Sequence, residues 1–190
     1  MTDERVDFVY NGGPPTRDSV PGKAWTKMTH VSVSPSITVI STKAFQRCTD
    51  LIEMKLCDGL RSIEDSAFEG CLRLERISIP STVEIIGPLA FNTCSHLIDV
   101  ELCEGLQRIH QHAFLRCGSL ERISIPSSVK EIGYGAFMYC LQLRNVELGK
   151  GLENIGRYAF AHCVSLERIV IPSSVKVVGS DVFHFDCGSE

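Results

Sequence analysis

Apolar residues in this chain recur on a fixed pitch. Phe45, Phe68, Phe91, Phe114, Phe137, Phe160 and Phe183 are 23 residues apart, without one insertion. Ala44, Ala67, Ala90, Ala113, Ala136 and Ala159 precede six of them, and Val182 precedes the seventh. Cys48, Cys71, Cys94, Cys117, Cys140 and Cys163 follow three positions after a Phe, and Leu51, Leu74, Leu97, Leu120, Leu143 and Leu166 three further on. Four columns held in phase over six copies make an internal repeat, which decides the fold before any local propensity does.

Each stretch of the repeat predicts an element. Leu74-x-x-Ile77-x-Ile79 alternates apolar and polar positions with β-branched residues, so it reads as a short strand. Pro or Gly ends the strand, Pro because it has no N–H to give a ladder. A second apolar pair follows, such as Val83 and Ile86 or Leu106 and Ile109. Gly87, Gly133, Gly156 and Gly179 mark a turn where φ is positive or another backbone passes close. Ala, Phe and Cys at i−1, i and i+3 then share one side of a single helical turn. A second order overlies the first. Ile-Pro-Ser-Thr/Ser-Val at Pro80, Pro126 and Pro172 alternates with Leu-Cys/Gly-x-Gly-Leu at Cys57, Cys103 and Gly149, so the full period is 46 residues. One unit cannot enclose a core, whereas stacked units can, which predicts a solenoid of parallel strands about 4.8 Å apart with Phe over Phe.

Leu120 to Cys140, LERISIPSSVKEIGYGAFMYC, resembles the BspA-like leucine-rich repeat over about residues 29–183. The resemblance implies a right-handed, curved coil of 23-residue repeats with a parallel β-sheet on the concave face. Short strands, turns or single helical turns are implied for the convex side. It also implies a binding role, since such repeats occur in surface adhesins. Residues 1–28 lie outside the pattern and read as an N-terminal cap, with Phe8, Val9, Tyr10 and Trp25 supplying apolar surface around Gly12-Gly13-Pro14-Pro15. Residues 29–183 form the solenoid. Residues 184–190 are a C-terminal tail or cap, where Asp186 takes the Cys position and Cys187 follows.

Composition narrows the function. With 190 residues, 44% hydrophobic and net charge −4, the chain has enough core to fold and carries no basic stripe for nucleic acid. Its longest apolar run is six residues, Ala136 to Leu141, against about 18 for a membrane span. Nine Cys raise three possibilities: disulfides, a metal site or core packing. Stacked Cys hold their Cβ atoms about 4.8 Å apart, too far to bridge. No Cys-x-x-Cys or similar pair offers a metal site. The repeat Cys therefore read as buried structural thiols, and Cys187 as the exposed, reactive one. Six or more reduced Cys, and no leader in MTDERVDFVYNGG, give an intracellular, cytoplasmic expectation.

Catalytic motifs, cofactor motifs and metal motifs are absent, so no enzyme or cofactor is expected. His110-Gln-His112, His96 and His162 read as solvated turn residues. The informative polar columns lie on the strand. One runs Glu53, Arg76, Asp99, Arg122, Asn145, Arg168 and alternates in sign. Its neighbours carry Arg144 on one side and Lys55, Glu101 and Glu147 on the other. These ten residues are either a self-satisfied charge ladder or a strip that takes a protein partner. The leading expectation is a non-enzymatic protein-interaction scaffold, a monomer or weakly self-associating end to end. A cell-surface adhesion protein and a self-assembling structural repeat are the alternatives.

Overall fold

The computed structural model describes residues 5–12 and 27–185. Trp25, the segment from Gly13 to Pro15, Asp186 and Cys187 lie outside the described residues. The chain runs through β1 (Asp7–Tyr10), β2 (His30–Val33), β3 (Val39–Ile40), β4 (Glu53–Lys55), β5 (Ser62–Ile63), β6 (Arg76–Ile79), β7 (Ile85–Ile86) and β8 (Asp99–Leu102). It continues through β9 (Arg108–Ile109), β10 (Arg122–Ile125), β11 (Glu131–Ile132), β12 (Asn145–Leu148), β13 (Asn154–Ile155), β14 (Arg168–Val170) and β15 (Val177–Val178). Among the described residues there is no α-helix.

The strands form a two-sided parallel solenoid of the expected pitch. Longer strands stack as β1-β2-β4-β6-β8 and β10-β12-β14, and the two-residue strands form one seven-stranded sheet from β3 to β15. Every pairing is parallel and shifted by one repeat, as Arg76 beside Asp99 and Ile77 beside Val100. The ladder begins before the Phe columns do: Asp7 sits beside His30 and Tyr10 beside Val33. It has one seam. Between β8 and β10 the Glu121 N–H reaches the Ile98 carbonyl at only 3.4 Å, where the equivalent bond one coil earlier is 2.8 Å.

Period-two alternation sets what each long strand buries. In β6, Ile77 and Ile79 point inward while Arg76 and Ser78 are exposed. Between the sheets the Phe rings stack face to face. Phe45 to Phe68 is 5.3 Å between centroids at 4°, and Phe91 to Phe114 is 5.1 Å at 2°. All the rings from Phe45 to Phe160 are fully buried, a hydrophobic contribution of about 1.5–3 kcal/mol each. Tyr10 closes the column edge-on against Phe45 at 5.0 Å.

The stretch around each Phe departs from the expected helical turn. It is a succession of tight turns in which Phe−2 and Phe+2 are left-handed: Lys43 and Arg47, Leu89 and Thr93, His112 and Arg116 all have φ of 56–61°. Each of these left-handed N–H groups leaves its own coil and donates to a carbonyl of the next. Lys43 bonds Asp65 at 2.9 Å and Arg47 bonds Glu69 at 2.7 Å, and between them the Phe45 N–H, which is not left-handed, bonds Ala67 at 2.7 Å. A helical turn would spend those donors within the coil and leave the next coil's carbonyls unsatisfied. The cost of a non-Gly residue in the left-handed region, about 1–2 kcal/mol, is offset by three inter-coil bonds. Gly87, Gly133, Gly156 and Gly179 answer the other way: their φ is not positive, and at Gly156 a Cβ would sit 2.6 Å from the Gly133 carbonyl carbon. Close approach of the neighbouring coil is the reason for Gly there.

Candidate binding face

The outward positions of the long strands build one continuous face. Registry places Glu53 beside Arg76, Arg76 beside Asp99, Arg122 beside Asn145 and Asn145 beside Arg168. The inward residues of the same strands anchor each position, since Ile77, Ile123 and Val146 are nearly fully buried. All ten candidate residues therefore lie on one side of the molecule.

The expected charge ladder does not form along this column. Among the described residues no ion pair joins Arg76 to Glu53 or Asp99, or Arg122 to Asp99, and the side chains of Arg76, Arg122, Asn145 and Arg168 have no hydrogen-bond partner. Registry alone does not make a bond: an exposed pair gains little Coulomb energy and must immobilise two side chains. Three inter-coil ion pairs lie beside the short strands, Arg61–Glu84 at 3.5 Å, Arg108–Glu131 at 3.1 Å and Lys176–Glu153 at 2.6 Å.

The face differs from end to end. Near β1 the charges are answered locally: Arg5–Asp7 at 2.9 Å, His30–Glu53 at 3.7 Å and Lys55–Glu53 at 3.4 Å. The hollow there is about 20 Å³. Over β10, β12 and β14 the face opens into a groove of about 960 Å³. Arg122, Asn145, Glu147, Lys150, Arg168 and Ser173 are among its lining residues. Glu147 accepts a hydrogen bond from Ser124 at 3.3 Å, as Glu101 does from Ser78 at 2.7 Å, so these carboxylates are held within the face. Arg144 lies outside the groove lining, 3.9 Å from Glu167. The structure thus gathers four candidates in the groove (Arg122, Asn145, Glu147 and Arg168), places Glu53 and Lys55 at the opposite end, and leaves Arg76, Asp99, Glu101 and Arg144 in neither.

The cysteine columns are core. The six repeat thiols are fully buried, and all eight described Cys are free. Burial pushes the Cys48 and Cys163 thiols up to about 12, and those of Cys71, Cys117 and Cys140 well above 9.0. None of these five can be a thiolate nucleophile at neutral pH. The thiols also bond in a way the spacing did not announce. Cys71 donates to the Phe45 carbonyl at 3.2 Å, Cys94 to Phe68 at 3.1 Å and Cys117 to Phe91 at 3.2 Å. This explains why a weak donor, rather than Ala or Val, fills the column. Cys57, the alternate-coil thiol, donates to Ile37 at 3.3 Å.

A second surface escaped the sequence reading. Tyr134, Tyr139, Tyr158, His162 and His184 meet along the turn ridge of the last coils. Tyr139 stacks on His162 at 4.3 Å, Tyr134 meets Tyr158 edge-on at 5.7 Å, and Arg157 covers Tyr158 at 4.5 Å. His162 is thus a stacked ring rather than a solvated turn residue. His112 also joins a ring, edge-on to Tyr134 at 5.1 Å. Partial burial lowers the pKa of both His110 and His112. The available signal was positional, because His112, Tyr139, Tyr158 and His162 occupy the columns two residues either side of Phe. Among the described residues no three His, Cys, Asp or Glu side chains converge to hold a metal.

Comparison with known proteins bears on this geometry. The model of the BspA type leucine rich repeat region matches in six copies, over residues 24–143 and 107–188. No curated protein matches. Among solved structures, the T. pallidum leucine rich repeat protein is 31% identical, with a TM-score of 0.72 over 85% of this chain and 78% of that one. A leucine-rich repeat protein from Bacteroides ovatus is 28% identical, with a TM-score of 0.64 over 83% of this chain and 46% of that one. The pneumococcal vaccine antigen PcpA, 23% identical, shares the fold at a TM-score of 0.56 over 82% of this chain and 59% of that one. The chain therefore spans less than two thirds of the latter two.

Proposed function

The chain belongs to the BspA-type leucine-rich repeat family, and from that premise we propose that it is a non-enzymatic scaffold binding a protein partner on its long-strand face. Repeats of this family generally serve protein interaction or surface display. The observation that carries the reading is the row of exposed guanidinium groups at Arg76, Arg122 and Arg168, which no neighbouring side chain among the described residues satisfies. Charged groups left open on a rigid face favour electrostatic complementarity with a partner. Stacked coils supply the rigidity, since the short-strand sheet runs unbroken from β3 to β15 and the turn ridge bonds coil to coil beside it.

Residues 1–28 fit the role of an N-terminal cap, supported by Tyr10 closing the Phe column. The intracellular reading rests on the cysteine content of the sequence. For adhesion, the shared fold is the only support.

The test is charge reversal of Arg76, Arg122 and Arg168 to Glu in one variant. Partner capture is expected to be lost, while circular dichroism and the thermal midpoint stay close to those of the parent. Undiminished capture moves the site to the turn ridge, where Arg116→Glu with Arg157→Glu is the matching variant.

A further inference from the structure

The groove at β10, β12 and β14 differs from the rest of the strand face in what separates its arginines. Asp99 stands between Arg76 and Arg122 in the column, whereas Asn145 stands between Arg122 and Arg168. The groove lining therefore carries three cations, Arg122, Lys150 and Arg168, against one carboxylate, Glu147, in a chain whose net charge is −4. This local excess of positive charge sits over the groove of about 960 Å³.

The spacing selects among anionic ligands. Arg122 and Arg168 are two strands apart, about 9.6 Å at the parallel-sheet spacing. A fully extended strand places alternate side chains on one face, at about 6.7 or 13 Å, and matches poorly. A polyproline-II segment returns to the same face every third residue, at about 9.3 Å, and matches well. Its backbone carries no internal hydrogen bonds. The Asn145 amide, both donor and acceptor, and the Ser173 hydroxyl lie in the lining to meet such a backbone. Glu147 in the groove disfavours a continuous polyanion, which would place charge against it, and favours carboxylates that are spaced.

We propose that the groove takes an acidic segment of a partner protein in polyproline-II form, with carboxylates three residues apart on Arg122 and Arg168. The proposal rests on the reading of the strand face as the binding face. Arginine suits the task because its planar fork accepts a carboxylate through two parallel N–H bonds. Neither guanidinium has to leave an existing partner to do so.

Fluorescence anisotropy with a labelled Pro-rich peptide bearing Glu at every third position tests it. The comparison peptides are an isomer with the same Glu residues adjacent, and the Gln analogue. Binding of the spaced peptide is expected to exceed that of the isomer severalfold and to vanish for the Gln analogue. It should weaken about tenfold or more in Arg122→Gln/Arg168→Gln and little in Arg76→Gln. Equal binding of the two Glu peptides overturns the spacing. Equal binding by the double variant overturns the groove, and tighter binding of a sulfated oligosaccharide than of the spaced peptide overturns the peptide class. If the peptide fails while partner capture still responds to reversal of Arg76, Arg122 and Arg168, the inference falls and the strand-face reading stands. If capture is also unresponsive, both fall.

Discussion

The two ends of the strand face are built from the same repeat and do different things with charge. Near β1, Arg5, Asp7, His30, Glu53 and Lys55 answer one another at 2.9–3.7 Å. Near β14, Arg122 and Arg168 flank an amide and pair with no side chain among the described residues. Core, pitch and register are common to both ends, so the difference resides in the outward columns alone. A solenoid separates the problem of folding from the problem of recognition by period-two alternation: inward positions fix the coil, and outward positions vary at little cost.

Breaking the common part should hit both ends alike. Phe68→Ala near one end and Phe137→Ala near the other each leave a gap in the ring stack, and each is expected to cost about 3–5 kcal/mol. Chemical denaturation checks this, and a large inequality between them would show that the ends do not share one core. The thiol column should respond to pH in the same even way. Burial raises the thiol pKa in the folded chain, so folded and unfolded thiols are both neutral below about 8.5 and stability is flat there. Above that value the unfolded thiols ionise while the folded ones do not. Stability should then fall by about 1.4 kcal/mol per pH unit for each such thiol, until the folded thiol itself ionises. Denaturation midpoints between pH 7 and 10 test the slope, which Cys71→Ala or Cys140→Ala should reduce. Each of those variants is expected to lose about 1–2 kcal/mol at neutral pH.

Sharpening the comparison takes smaller changes. Asn145→Asp gives the groove the acid that Asp99 supplies further up, and should weaken binding of the spaced Glu peptide severalfold with stability changed by less than about 0.5 kcal/mol. Asp99→Asn should extend binding toward Arg76 with an equally small effect on stability. Titration of both variants against the peptide reads the exchange. Lys55→Gln removes one exposed pairing at the quiet end and should change stability by only a few tenths of a kcal/mol, measurable as a near-unchanged thermal midpoint.

The sequence showed the strands, the Phe stack and the buried thiols because a strict 23-residue pitch ties each to a column of one residue type. It hid the left-handed positions. Lys43, Leu89, His112 and Tyr158 share that geometry and share no chemistry. Their conformation is imposed by bonds to the next coil, a tertiary cause that local propensity cannot report. β1 was hidden for a related reason: Phe8 and Tyr10 match Val31 and Val33 only once the register is known. On the face, the alternation of sign along Arg76, Asp99 and Arg122 was visible, but contact was not, because reach and solvent decide whether neighbours pair.

The alternation of Pro-ended and Gly-ended strands has a bearing on how such a molecule can change over generations. Its smallest self-consistent insertion is two coils, not one. A duplication of 46 residues taken from Arg122 onward would reproduce core, turn type and guanidinium together. It would lengthen the charged row by one tooth at unaltered pitch. A single-coil duplication would satisfy the core equally and set every later arginine out of step with a ligand that counts in threes. Valency here can grow only in pairs of coils.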